Sequence, residues 1–248
     1  MGEGMPLVLL HQTPWFSVQW AKIMPMLAME DIQCIAIDTP GFGFSDLPPS
    51  EPTIEDYGDV VPHVLDALGI QRAAVAGFHT GASIAAAFAH RHPDRVNQVV
   101  LHGAPFYNAE ERVQRLAREH WDQTPRPYGS HLSDRFRHIF DRFCGVDSSP
   151  DSVNCSVLSF FLAGETEHWG HLAAFKYDMG PALEAIRAPT LIMSHTGDSL
   201  HPNALRIMKM RPDFDYMEFE GGHAQVTYTD PEPWAEVVID FLLAPPEG

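Results

Sequence analysis

Cysteine is scarce. Cys34, Cys144 and Cys155 are the only 3 in 248 residues, too few for the disulfide framework of a small secreted module, so a thiol-keeping cytoplasm is the expected compartment. Long apolar runs are also missing. The N-terminal stretch MGEGMPLVLLHQTP has no basic segment ahead of its apolar run, and that run is far too short to span a bilayer, so a soluble protein is the expectation. Positive charge is outnumbered, with Lys+Arg 16 against Asp+Glu 33 and a formal net charge of -17. Such a surface repels phosphate backbones and argues against nucleic acid as a partner. No internal repeat or low-complexity stretch is present, and the length suits one domain, or one domain with an insertion. A small molecule is the expected partner, with no membrane involved.

What is present is an alternation. PLVLLH at 6–11 is a continuous apolar run ending in the loop QTPWFS, as a buried parallel strand would. A helix is expected over about 19–28, a strand at CIAID (34–38), and then a loop in the Gly- and Pro-dense segment TPGFGFSDLPP. Thr53 with Asp56 three residues on opens a helix over about 54–68, which Gly69 closes. RAAVAG (72–77) reads as strand, ASIAAAFAHRH (82–92) as a small-residue helix and VNQVVLHG (96–103) as strand. The alternation then pauses: 106–181 is mostly helical, as in AEERVQRLAREHW and SDRFRHIFDRF. It resumes with APTLIMSH (188–195), DFDYMEFEG (213–221) and a terminal helix over about 233–243. Strands separated by helices predict a mostly parallel sheet wrapped by helices, an α/β fold. The expected division is a core of 1–105 and 182–248 with a helical cap at 106–181.

Several ordered segments resemble the α/β-hydrolase superfamily, especially its epoxide hydrolases, haloalkane dehalogenases and carbon-carbon bond hydrolases. LLHQTPWFSVQW is similar to that family's first active-site loop through His11, Pro14 and Trp20, with Gln12 where Gly is usual. IDTPGFGFSD matches a family segment through Asp38, Pro40, Gly41, Gly43 and Ser45, and AHRHPDRVNQVVLHG resembles the stretch after the nucleophile helix. The nucleophile elbow of the family is strand, Gly-x-Nuc-x-Gly, helix, because only small neighbours fit beside a sharp turn. Here the segment is VAGFHTGAS, so Gly77 and Gly81 frame His79. Ser83 is not the expected nucleophile, since it would lie one turn inside the following helix. The resemblance further implies Asp198 as acid, in LIMSHTGDSLHP, and His223 as base, in FEGGHAQ, with Asp198 behind the His223 ring.

Histidine at the elbow changes the available chemistry. A neutral imidazole can be a nucleophile or a general base on water. The resemblance implies an oxyanion hole that does not need the exchanged side chain, because its donors are backbone N–H groups, expected here to be those of Thr80 and, by alignment with the first loop, Thr13. The expected activity is hydrolysis of a small, partly apolar carbonyl substrate such as an ester, a lactone or an activated C–C bond. The alternatives are a lyase, decarboxylase or cofactor-free oxygenase run on acid-base chemistry, or a non-catalytic ligand-binding protein.

Fourteen histidines also invite a metal reading, with His79, His223 and Asp198 as one set and His168 with His171 as a pair at helical spacing. An acid placed behind His223 would not share a metal with it, so neither metal nor organic cofactor is expected. The aromatics of the insertion, among them Phe143, are read mostly as the cap's own core. Gln12, Trp15, Trp121 and Trp169 are the expected substrate contacts. Only five residues precede PLVLLH, where the family commonly has a strand pair. Either the start is misplaced or a sheet edge is left open, with a homodimer as its expected cover.

Overall fold

The computed structural model describes residues 1–141 and 149–245; Phe143 and Cys144 lie outside them. Six strands, β1 (Met5–Leu10), β2 (Ile32–Ile37), β3 (Ala73–Phe78), β4 (Val96–His102), β5 (Thr190–His195) and β6 (Asp215–Phe219), form one sheet in the order β2-β1-β3-β4-β5-β6. Every pairing is parallel, so the connections must cross over a face. They do so through α1 (Met24–Ala28), α2 (Ile54–Ala67), α3 (Thr80–Arg91) and α9 (His201–Met210), and through the series α4 (Ala109–Leu116), α5 (Ser130–Ile139), α6 (Pro150–Ala163), α7 (Trp169–Lys176) and α8 (Gly180–Ala185) between β4 and β5. The chain closes with α10 (Val226–Thr229) and α11 (Pro231–Leu243).

The two-residue period of β1 divides the core. Val8 and Leu10 face one cluster with Val61, Val75 and Phe88, while Leu7 and Leu9 face another with Trp20, Ala76 and Trp234. The alanine run of α3 lets that helix lie close to the sheet, and Gly58 of α2 packs where a Cβ would stand 3.2 Å from the Phe88 backbone nitrogen. Thr53 caps α2 with its side chain accepting from the Asp56 N–H, and Asp56 reciprocates, a pair of bonds that satisfies two otherwise orphan donors.

Two expectations are revised. The helix over 19–28 is split into a 3-10 turn at Ser17–Trp20 and α1, and Pro25 stands in the first turn of α1, where its missing N–H leaves no bond unmade. The helix begun at AEERVQRL stops at Leu116, and the residues beyond it run irregularly. At the outer edge of β2, the Cys34 N–H donates to the Met1 carbonyl at 2.8 Å. No helix among the described residues is long and apolar enough to cross a membrane.

Strand order reverses between β1 and β3, with β2 on one side and β4 to β6 on the other. That switch point, beyond the carboxyl ends of the strands, is where open parallel sheets bind ligands.

Candidate active site at the strand-to-helix elbow

The turn from β3 into α3 puts His79 at φ 50 and ψ -114, a region that disfavours any side chain and costs on the order of 1–3 kcal/mol. Neighbouring atoms impose it. A Cβ on Gly77 would lie 2.1 Å from the Gly81 carbonyl oxygen, and one on Gly81 would lie 2.0 Å from the Leu10 oxygen. The His79 N–H donates to the His102 carbonyl at 2.9 Å, and the His79 carbonyl accepts from the Ala82 N–H at 2.8 Å. The imidazole is thereby held out above the sheet with 17% of its side chain exposed. Ser83 lies within α3, fully buried, its hydroxyl without a hydrogen-bond partner.

The acid meets this ring directly. His79 Nε2 stands 2.5 Å from Asp198 Oδ2, while Asp198 Oδ1 accepts from the Leu200 N–H at 2.9 Å. Burial would raise the Asp198 carboxyl, but the His79 ring and the Leu200 N–H outweigh it and hold the group well below the usual carboxylate range. Gly103, at φ 55, makes room: a Cβ there would stand 2.5 Å from His79 Cδ2 and 2.8 Å from Nε2. The edge of the ring that carries Nε2 and Cδ2 therefore faces Gly103 and Asp198. Nδ1 lies on the opposite side of the ring, and no described residue hydrogen-bonds it.

This corrects the expected arrangement in which Asp198 backs His223. Among the described residues no hydrogen bond joins the two, and His223 Nδ1 instead accepts from the Gln225 N–H at 3.1 Å. An accepting Nδ1 leaves the neutral ring's proton on Nε2, the opposite tautomer to that of a triad histidine. The physical reason is reach. An imidazole carries its distal nitrogen much farther from the backbone than serine carries its hydroxyl, so at this elbow it arrives at the acid unaided. The loops bearing Asp198 and His223 are still joined, through Gly197 N–H to the Gly221 carbonyl at 2.8 Å and Gly221 N–H to Thr196 Oγ1 at 2.8 Å.

The two expected oxyanion donors are available. Thr80 is the first residue of α3, where an N–H has no intrahelical acceptor, and neither it nor the Thr13 N–H donates to another described group. The close approach of Gly81 to the Leu10 carbonyl, and to the His11 carbonyl at 2.8 Å, brings the loop after β1 against the start of α3. His11 anchors that loop. Its Nε2 accepts from the Thr39 N–H at 3.0 Å, so its Nδ1–H donates to the Gln12 carbonyl at 2.9 Å, and burial lowers its pKa to about 4.

The expected substrate contacts fare unequally. Gln12 is buried and donates to the Ala224 carbonyl at 2.7 Å, so it ties the first loop to the His223 loop. Trp15 is buried too, edge-on to Tyr228 at 5.6 Å. Both serve as supports for the loop. Trp121 and Trp169 lie in the helical insertion, half-buried. That insertion roofs the site: a Cβ on Gly170 of α7 would stand 2.2 Å from Thr13 Oγ1. The neighbouring His171 is pushed down to about 4, by burial first and then by His79, which places it near the elbow.

Sequence reading missed a second layer beneath the site. His102 Nε2 lies 3.0 Å from His195 Nδ1, and Trp234 Nε1–H donates to His102 Nδ1 at 3.0 Å. The Trp234 bond fixes the tautomers: His102 Nδ1 accepts, so its Nε2–H donates to His195. The backbones of the same pair hold the reacting groups, since the His102 carbonyl accepts from His79 and the His195 carbonyl from the Asp198 N–H at 3.0 Å. Burial keeps both rings neutral, His195 at about 4. Their position at the ends of VNQVVLH and TLIMSH was the available signal, because each closes a largely apolar run, VVL or LIM, where a buried strand had little reason to carry a histidine.

Residues 5–226 match the family model described as alpha/beta hydrolase fold, and the chain belongs to that family; its matches to the first curated relatives cover only 38% and 36% of their length. It is 39% identical over 109 residues to 2-hydroxymuconate semialdehyde hydrolase of Pseudomonas sp. (strain CF600), a match covering 42% of this chain and 38% of that protein. Against fluoroacetate dehalogenase of Burkholderia sp. the identity is 25% over 276 residues, covering 97% of this chain and 88% of the other. A thermophilic esterase from Thermogutta terrifontis shares the fold with a TM-score of 0.79 at 19% identity, over 98% of this chain and 90% of the esterase.

Proposed function

We propose that the protein hydrolyses a small carbonyl substrate, an ester, a lactone or an activated C–C bond, with His79 as the general base on water. The observation that carries this reading is the 2.5 Å pair between His79 Nε2 and Asp198 Oδ2. A carboxylate that accepts from Nε2–H leaves the lone pair on Nδ1, on the side of the ring away from the acid. Water there gives its proton to Nδ1 as its oxygen adds to the carbonyl carbon, and the carbonyl π-electrons move to oxygen. The resulting oxyanion is met by the Thr13 and Thr80 N–H groups. Asp198 balances the imidazolium, which then returns the proton to the leaving group as the tetrahedral intermediate collapses. His223, whose Nδ1 is occupied by the Gln225 N–H, presents Nε2–H as a donor rather than a base. Relatives named as hydrolases and a dehalogenase are consistent with chemistry at this elbow.

The test is a screen of short p-nitrophenyl esters, lactones and 1,3-diketones with wild type and His79→Ala. Turnover on at least one class should fall by about a hundredfold or more in the variant, the scale of positioned acid-base catalysis. Equal rates for the two proteins would remove His79 from the mechanism. Mass spectrometry of the single-turnover mixture should find no acyl adduct on His79; an adduct would make it the nucleophile.

A further inference from the structure

One corner of the roof gathers Glu167, Arg135 and Trp121, with two buried donors that have no hydrogen-bond partner among the described residues. Glu167, in the turn before α7, is 6% exposed, and its carboxyl makes no hydrogen bond or ion pair among the described residues. Arg135 of α5 lies with its guanidinium over the Phe160 ring at 3.9 Å and near Trp121 at 5.1 Å. Its Nε is buried without a partner, as is Trp121 Nε1. These residues share one place: the ring of His120, beside Trp121, lies tilted with its centroid 4.1 Å from that of His168, beside Glu167. The close fit of Gly170 on Thr13 sets the turn directly over the oxyanion loop. Buried donors left unmade are costly, and two of them, Arg135 Nε–H and Trp121 Nε1–H, stand here in one corner with an acidic side chain.

We infer that this corner receives a carboxylate carried by the substrate, at the end away from the carbonyl that reacts at His79. This deepens the proposed hydrolysis and rests on it only for the identity of the reacting end. Arg135 Nε–H and Trp121 Nε1–H are donors and need an acceptor with more than one lone pair. Glu167 completes the choice. Burial raises its pKa to about 7 against the pull of Arg135, so it can take up a proton when an anion arrives and then donate to it. Arg135 is itself lowered to about 10 by burial and stays cationic at neutral pH. The other titratable groups against the corner are His120, His138 with its ring 4.5 Å from Trp121, His168 and His171; burial first and then His120 lower His168, and burial first lowers His171. A neutral amide in the same corner would require no proton.

Isothermal titration of the full chain at pH 7.5 with levulinate, levulinamide and pentan-2-one separates the cases, because none of the three is hydrolysed. Levulinate should bind at least tenfold more tightly than the ketone, with proton uptake revealed by buffers of different ionisation enthalpy. Arg135→Gln should remove that preference, and Glu167→Gln should keep the binding and abolish the uptake. Trp121→Phe, which keeps the ring, should weaken levulinate severalfold and serves if Arg135→Gln fails to fold. Equal affinity for the three probes would overturn the inference, as would levulinate binding unchanged in a folded Arg135→Gln protein. Arg135-dependent levulinate binding without ester turnover would fail the hydrolase reading alone. Ester turnover indifferent to a substrate carboxylate would fail this inference alone.

Discussion

Replacing Asp198 by Asn tests the His79 pair at the level of single protons. The carboxylate satisfies two donors at once, His79 Nε2–H through Oδ2 and the Leu200 N–H through Oδ1. An asparagine has one oxygen and one NH2 to offer in the same place. If the oxygen faces His79, the NH2 points at the Leu200 N–H and leaves a buried donor unmade, at about 1–3 kcal/mol. If the oxygen keeps Leu200, the NH2 must donate to His79 Nε2, which moves the ring proton to Nδ1. The second arrangement preserves both bonds and is the one expected. It destroys the base, since Nδ1 then has no lone pair for water. Turnover should fall by about 10²–10⁴, or about 2.7–5.4 kcal/mol at 1.36 kcal/mol per tenfold, with KM little changed because the oxyanion donors and the roof are untouched. The assay is kcat and KM on whichever ester or lactone the screen identifies, with nitrogen-15 NMR of the His79 ring to read the tautomer. A variant with wild-type kcat and its proton on Nδ1 would refute the reasoning.

The remaining expectations concern space and pH. Gly103→Ala should cost at least as much activity as Asp198→Asn, because the new methyl occupies the place of His79 Cδ2; a crystal structure of the variant should show the ring displaced from Asp198. His11 has its folded pKa lowered to about 4 from 6.5, so the unfolded chain binds more protons between those values. Its contribution is fully present above pH 6.5 and is lost as pH falls towards 4, on the order of 3 kcal/mol. Urea titrations across that window should show a slope that shrinks in His11→Gln.

The alternation of apolar runs with helical patterns was legible because parallel strands buried on both faces leave continuous Val, Leu and Ala segments, as in β1 and β3. The elbow was legible for a steric reason: Gly77 and Gly81 are forced by backbone oxygens at about van der Waals overlap, so their spacing marks the turn whatever residue stands between them. The partner of Asp198 was not legible. That the acid bonds His79 and not His223 depends on how far a side chain reaches and on the room left by Gly103, and neither is a property of spacing along the chain. The break of the helix expected over 19–28 had a signal in Pro25, which suits a first turn, but proline alone did not decide it, since α2 runs on through Pro62. The corner formed by Trp121, Arg135 and Glu167 draws on three separate segments of the insertion, each of which reads alone as an ordinary polar or aromatic helix face.

The pairing of His102 with His195 bears on how the protein can vary. Its side chains join two strand ends while its carbonyls grip the elbow and the acid, so the separation of His79 from Asp198 is set inside the sheet, below anything the insertion does. Helix α7 does not share that independence from the sheet: Gly170 fits against Thr13 of the first loop and His171 lies near His79. The distance between the reacting groups is fixed from below, and the surface that meets a substrate is fixed from above by α7, so the segments left with most freedom to vary are those away from both.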